Sequence, residues 1–238
     1  MIPWLDSHTP FPAVETALAD PNGLLAAGAD LSPGRLLAAY RRGIFPWFSE
    51  GDPILWWSPD PRTVLIPGEV RVTRSLAKTL RNRIYEVRFD HDFAAVLAAC
   101  AAPRAGASGT WITPQMLAAY QGLHELGHAH SVETWIDGQL AGGLYGVALG
   151  RAFFGESMFT RRTDGSKIAI VTLAAQLAAW GYPLIDCQMR TAHLASLGAV
   201  EIPRRQFVDA VQRLVREPGV ASPWGLDDAV IAALRRPR

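Results

Sequence analysis

Hydrophobic positions along the chain change period several times, and each change predicts an element. Leu36, Leu37 and Tyr40 recur at helical spacing behind the N-cap residue Ser32 and behind Pro33, which suits a first helical turn; Gly43 lies past the end. Residues 63–66 read as a strand, 73–82 as a helix with Leu76 and Leu80 on its apolar face, 85–89 as a strand and 92–101 as an alanine-rich helix. Thr113 and Pro114 open another helix that Gly127 closes, with a strand starting at about His130. Residues 131–136 and 139–149 flank Asp137-Gly138, the signature of a β-hairpin on a type I′ turn, and 151–159 make a third strand. A long helix, amphipathic by its pattern, runs from Ser166 through Ile170, Leu173 and Leu177 to Trp180 and ends at Gly181. A strand at 183–187 follows, then residues 193–197 capped by Gly198, then a helix at about 206–215. From Ala221 onward the tail reads as peripheral.

Two carboxylates interrupt these apolar runs. In the 183–187 strand, alternation turns Ile185 and Cys187 one way and Leu184, Asp186 and Gln188 the other, at a strand end where α/β proteins place their chemistry. Burying an ionised carboxylate costs several kcal/mol, on the order of 5, unless it is paired, so Asp186 either caps the following turn or serves a site. Glu156 breaks the aromatic run Phe153-Phe154-Gly155-Glu156-Ser157-Met158-Phe159 and is the second buried acid. Gly142, Gly143 and Gly146 leave the preceding strand bare, as where a ligand or another backbone comes close.

Composition narrows the class without naming the chemistry. An apolar content of 49% against 19% charge in 238 residues implies a packed core and excludes a disordered chain. No apolar run reaches the ~18 residues of a membrane span, the N-terminus lacks a signal-peptide pattern, and two distant cysteines, Cys100 and Cys187, suit free thiols in a reducing cytoplasm. The expectation is a cytoplasmic monomer with no membrane partner. Net charge is +1, unevenly spread: residues 1–60 carry three basic side chains against seven acidic ones, and residues 71–88 six against one. A patch of that kind can hold a polyanion. Arg74, Lys78 and Arg81 share one helical face there, readable as an ordinary solvated face or as a contact with a phosphate backbone.

Residues 1–60 are rich in Pro, Gly and Trp and read as a small N-terminal domain that ends at Ser58-Pro59-Asp60-Pro61, with 61–238 as the main domain. Trp56 and Trp57 suit packing between the two, whereas Trp47, between Pro46 and Phe48, suits an exposed stacking surface; Trp111, on the loop before Thr113, offers a second one. His124-Glu125-x-x-His128 matches a zinc-protease pattern, which needs both histidines on one helical face. Gly127 as helix cap leaves His128 outside the helix, so no metal is expected.

The order strand–helix–strand–helix–helix–three strands–helix–strand–helix resembles the GNAT acyltransferase architecture, an α+β fold with a mixed sheet flanked by helices. A CoA-using member would carry a glycine loop at the helix after the third strand; here Arg162-Thr163-Asp164-Gly165-Ser166-Lys167 has Lys where the last small residue belongs. No CoA or other cofactor is expected, and the tryptophans with the basic helix suggest an acyl donor that carries nucleotides.

Eight runs then match one family in order: Pro21-Asn22-Gly23-Leu24-Leu25, Arg42-Gly43-Ile44-Phe45-Pro46-Trp47-Phe48, Leu55-Trp56-Trp57-Ser58-Pro59-Asp60-Pro61-Arg62, Gly109-Thr110-Trp111-Ile112-Thr113, residues 124–130, Gly155-Glu156-Ser157-Met158-Phe159, Ile185-Asp186-Cys187-Gln188 and Ala195-Ser196-Leu197-Gly198-Ala199. Over residues 10–207 the chain closely resembles bacterial leucyl/phenylalanyl-tRNA–protein transferases. The resemblance implies transfer of Leu or Phe, with Met as a further candidate, from aminoacyl-tRNA to proteins with N-terminal Arg or Lys, marking them for N-degron degradation. It implies that Trp47 and Trp111 hold the terminal adenosine, that Leu144, Phe153, Ile170, Leu173 and Ile185 line the amino-acid pocket, and that Asp186, Gln188 and Glu156 form the reaction centre. On this reading Asp186 orients and polarises the Gln188 carboxamide, whose oxygen accepts from the attacking amine, and Glu156 positions the amine or the cationic side chain. A zinc peptidase and a non-catalytic tRNA-binding module are the rival classes.

Overall fold

The computed structural model describes residues 2–103 and 112–236. Four short strands form the first sheet: β1 (Trp4–Leu5), β2 (Leu24–Gly28), β3 (Phe45–Pro46) and β4 (Leu55–Trp57), in the order β1-β2-β4-β3, with helix α1 (Pro33–Tyr40) between β2 and β3. The second sheet has seven strands in the order β11-β5-β10-β9-β8-β7-β6. They are β5 (Arg62–Leu65), β6 (Glu86–Phe89), β7 (Ala129–Ile136), β8 (Gln139–Leu149), β9 (Ala152–Thr160), β10 (Leu184–Asp186) and β11 (Val200–Ile202). β10 runs parallel to β9 and every other pairing in this sheet is antiparallel. Helices α2 (Arg74–Asn82), α3 (Phe93–Ala101), α4 (Pro114–Glu125), α5 (Gly165–Ala179), α6 (Ala192–Ser196), α7 (Arg204–Leu214) and α8 (Asp228–Arg235) complete a mixed α/β architecture. Among the described residues no helix is long and apolar enough to cross a membrane.

Strand alternation builds two cores from one sheet. Leu144 and Phe153 face α5 and meet Ile170, Leu173 and Ile185. Their neighbours Tyr145 and Phe154 face the other way, into a cluster shared with Tyr40 of α1, Phe93 of α3, Tyr120 of α4 and Trp56 and Trp57 of the first sheet. The apolar core thus runs from the first sheet into the second without a break. The β7–β8 turn has both Asp137 (φ 53°) and Gly138 (φ 70°) in left-handed conformation, as type I′ demands. Gly142 answers the glycine question on β8: a Cβ there would lie 2.5 Å from the Gly165 carbonyl carbon, so what comes close is the backbone opening α5.

Two expectations fail. α5 is not amphipathic; it is buried nearly all round, because α2 and α8 cover the face turned away from the sheet. Nor is the tail peripheral. Trp224 is buried, stacks on His130 at 3.8 Å between ring centroids, and donates its backbone N–H to Asp90, which also receives His130 Nδ1 at 2.7 Å. Gln176 of α5 and Asp227 exchange two further hydrogen bonds. Trp224 stands in the run Ser222-Pro223-Trp224-Gly225, which has no local period, so its burial was invisible to pattern reading.

Candidate active site

β9 and β10 pair only as far as Phe154 and Asp186. β9 continues to Thr160 while the chain leaves β10 at once, and an apolar cavity of about 500 Å³ opens beside the point where they part. Its wall includes Leu144, Phe153, Ile170 and Ile185, with Glu156, Gln188 and Trp47 supplying polar and aromatic edges. Leu173 belongs to the same apolar cluster but does not line the cavity.

Asp186 does not line it either. Its carboxylate is fully buried and forms a bidentate pair with Arg62 of β5: Nε to Oδ1 at 2.8 Å and Nη2 to Oδ2 at 2.6 Å. Arg62 also donates to the Gly43 carbonyl, and its guanidinium lies over the rings of Phe45 and Phe207 at 4.8 and 4.5 Å. Gly43 has φ 69°, and a Cβ there would press on the Phe207 ring at 3.0 Å. Thus β3, α7 and the turn after α1 all serve to enclose one cation.

Asp186 also accepts the backbone N–H of Gln188 at 2.9 Å, so the turn-capping role and the site role coincide in one carboxylate. Gln188 has φ 54°. That left-handed step breaks the strand alternation, and Gln188 lines the cavity with Ile185 and Cys187, instead of staying on the face of Asp186. The coupling between the two is through the backbone amide; among the described residues the carboxamide Nε2 is buried without a partner, so the expected direct polarisation of the side chain by Asp186 gives way to fixing of its backbone.

Glu156, on β9, reaches the opposite side. The Tyr40 hydroxyl lies 2.8 Å from its Oε1 and the Tyr120 hydroxyl 2.8 Å from its Oε2, and the two phenol oxygens are 2.6 Å apart. Burial raises the Glu156 carboxyl to about 7, against the lowering effect of the two phenols, with Asp186 adding to the rise and Arg62 opposing it. Beside it Tyr145 is fully buried, its hydroxyl without a partner among the described residues.

Trp47 keeps 39% of its surface exposed at the cavity edge, held edge-on to Trp57, whose Nε1 donates to the Trp47 carbonyl at 2.7 Å. Trp111 lies outside the described residues. Arg74, Lys78 and Arg81 are all exposed on α2, opposite the buried Leu76 and Leu80. His124 turns Nδ1 to the Ala129 carbonyl at 2.8 Å and stacks on Phe93, while His128 lies beyond the helix, past Gly127 at φ 75°.

The sequence matches a model of the leucyl/phenylalanyl-tRNA protein transferase family over residues 64–212 and a model of that family's N-terminal domain over residues 29–60. The chain belongs to the leucyl/phenylalanyl-tRNA–protein transferase family. The leucyl/phenylalanyl-tRNA–protein transferase of Nitrosomonas europaea is 63% identical over 227 residues, which span 95% of this chain and 96% of the relative. That of Nitrosospira multiformis is 61% identical over 95% of this chain and 98% of its own, and that of Aromatoleum aromaticum 61% over 96% and 97%.

The three side chains that hold this transferase's two carboxylates in apolar runs escaped sequence reading: Arg62 on Asp186, and Tyr40 and Tyr120 on Glu156. An arginine opening the strand Arg62-Thr63-Val64-Leu65 needs a buried counter-charge, which was a usable signal. The tyrosines gave none, since each sits on an apolar helical face where packing alone explains it.

Proposed function

We propose that the protein transfers Leu or Phe, with Met as a further candidate, from aminoacyl-tRNA to the α-amine of proteins with N-terminal Arg or Lys, acting as a cytoplasmic monomer that marks them for N-degron degradation. The observation that carries this reading is the apolar cavity with Glu156 and Gln188 on its wall and Trp47 at its edge. Its volume falls within the roughly 300–1,000 Å³ of small-molecule sites, and an apolar wall with few polar groups suits a Leu or Phe side chain joined to a reacting ester. The meander β7–β8–β9, then α5 and the parallel β10, supports a GNAT-like reading of the catalytic part, residues 61–238, to which the N-terminal part, residues 1–60, contributes Trp47 and Tyr40.

The donor ester is already activated, so the chemistry asks for positioning and for a neutral amine. A free α-amine has a pKa of about 7.7–8.0 and is part neutral at physiological pH. Gln188, held by Asp186 through its backbone, presents a carboxamide that orients the attacking nitrogen; it is too weak a base to take the proton. Trp47 stacks on the terminal adenine with Trp111, and Arg74, Lys78 and Arg81 contact the tRNA backbone. Neither CoA nor metal enters this scheme.

Radiolabelled Leu-tRNA or Phe-tRNA with an acceptor bearing N-terminal Lys or Arg tests the proposal. Label is expected on that acceptor, not on one with N-terminal Met, and equally with and without EDTA. Binding of charged tRNA without transfer would favour a non-catalytic module, and chelator-sensitive peptide cleavage a zinc peptidase.

A further inference from the structure

We propose that Glu156, Tyr40 and Tyr120 form a closed ring of hydrogen bonds that takes up the proton given off by the attacking amine. The inference rests on the aminoacyl-transfer reading and adds the destination of the proton.

Four oxygens make three contacts: Glu156 Oε1 to Tyr40 at 2.8 Å, Tyr40 to Tyr120 at 2.6 Å, and Tyr120 to Glu156 Oε2 at 2.8 Å. Each contact at these lengths needs one proton between its oxygens. The phenols supply two and keep them, because burial and the neighbouring Glu156 push both hydroxyls well above their ordinary range. The third proton belongs to Glu156. The filled ring then runs head to tail: the carboxylic acid donates to one phenol, that phenol to the next, and the second phenol to the other carboxyl oxygen. With Glu156 ionised, both phenols turn to the carboxylate, and the 2.6 Å Tyr40–Tyr120 contact is left with two lone pairs facing each other.

Glu156 lines the cavity, whereas both tyrosines are fully buried behind it, so only the carboxyl group of the ring meets substrate. Tyr40 and Tyr120 are positioning residues. Among the described residues the other groups facing Glu156 are Asp186 of β10 and Arg62 of β5, which pair with each other, and the Tyr145 hydroxyl of β8; Cys100 of α3 faces Tyr145. The site rests near its midpoint at neutral pH, with the carboxyl raised to about 7, and can therefore both load and unload.

The step balances. The acceptor ammonium gives one proton to the Glu156 carboxylate, and its freed lone pair forms the N–C bond at the ester carbonyl. The C–O bond to the ribose breaks, and the ribose oxygen takes the proton that nitrogen sheds on becoming an amide. Glu156 then returns its proton to water, so one proton is released per turnover.

Infrared difference titration of the full-length protein without tRNA, from about pH 5 to pH 9, tests the ring. A carboxylic-acid C=O band should disappear with a midpoint near neutrality, and be absent from Glu156→Gln. The midpoint should rise by roughly half a unit or more in Tyr40→Phe and Tyr120→Phe, because the charge-assisted bond lost from the carboxylate outweighs the facing of lone pairs relieved between the phenols. The acid limb of kcat with a Lys-initiated peptide should move in parallel, with tRNA affinity and circular dichroism unchanged as a check on folding. A neutral-range band missing from the wild type, a band that survives Glu156→Gln, a midpoint that neither tyrosine variant raises, or an acid limb that stays in place overturns the ring. The titration needs no catalysis, so a normal titration with no transfer sinks the activity instead.

Discussion

Arg62 and Asp186 stand 124 residues apart in sequence and meet with no exposed side-chain surface on either partner. Removing one partner of such a pair leaves the other as an uncompensated buried charge, at a cost of about 3–5 kcal/mol. Arg62→Ala is therefore expected to lower stability by that amount in denaturant unfolding and to loosen Gln188, whose backbone hangs on Asp186. A loss under about 1 kcal/mol would show that water or a rearranged neighbour replaces the guanidinium. Arg62→Lys should fare little better, since a lysine can neither form the bidentate contact nor lie flat between Phe45 and Phe207. Asp186 and Glu156 were both legible as acids in apolar runs. Their partners were not, because an ion pair or phenol contact between distant segments leaves no mark on local spacing.

At the scale of elements, α2 shows where pattern reading works. Its apolar and basic faces both follow from a single 3.6-residue period, and the Thr73 side chain caps it by accepting from the Leu76 amide. Replacing Arg74, Lys78 and Arg81 together by Gln should weaken tRNA binding and reduce the slope of log K against log salt by about 2, as contacts to roughly three phosphates are lost. Unchanged affinity across a salt series would mean that this face is only solvated. α5 marks the limit of the same method. Whether a helix has one buried face or two depends on what packs over its outer side, and here that is α2 and α8, from segments far away in sequence.

At the scale of the whole molecule, distant parts of the chain meet on one sheet. Tyr40 reaches from α1 across to β9, and the tail carries Trp224 back over His130 of β7. Truncation after Val220 is expected to cost about 3–5 kcal/mol, the range for losing a large buried aromatic. Thermal unfolding of the truncated and full-length chains would measure it, and equal midpoints would return the tail to the periphery. What the sequence by itself determined is the run of strands β5 to β10 with helices α1 to α5 and α7, the type I′ turn, the basic face of α2 and the presence of two acids in apolar surroundings. Each of these is a local matter of period, capping or backbone conformation. The first sheet, β11 and α8 were not among the expected elements. Only the tertiary structure decided that Asp186 meets Arg62, that Glu156 meets two tyrosines, and that Gln188 turns into the cavity while Asp186 turns away. These depend on which strands lie side by side, where their pairing stops, and one left-handed backbone step past the end of β10.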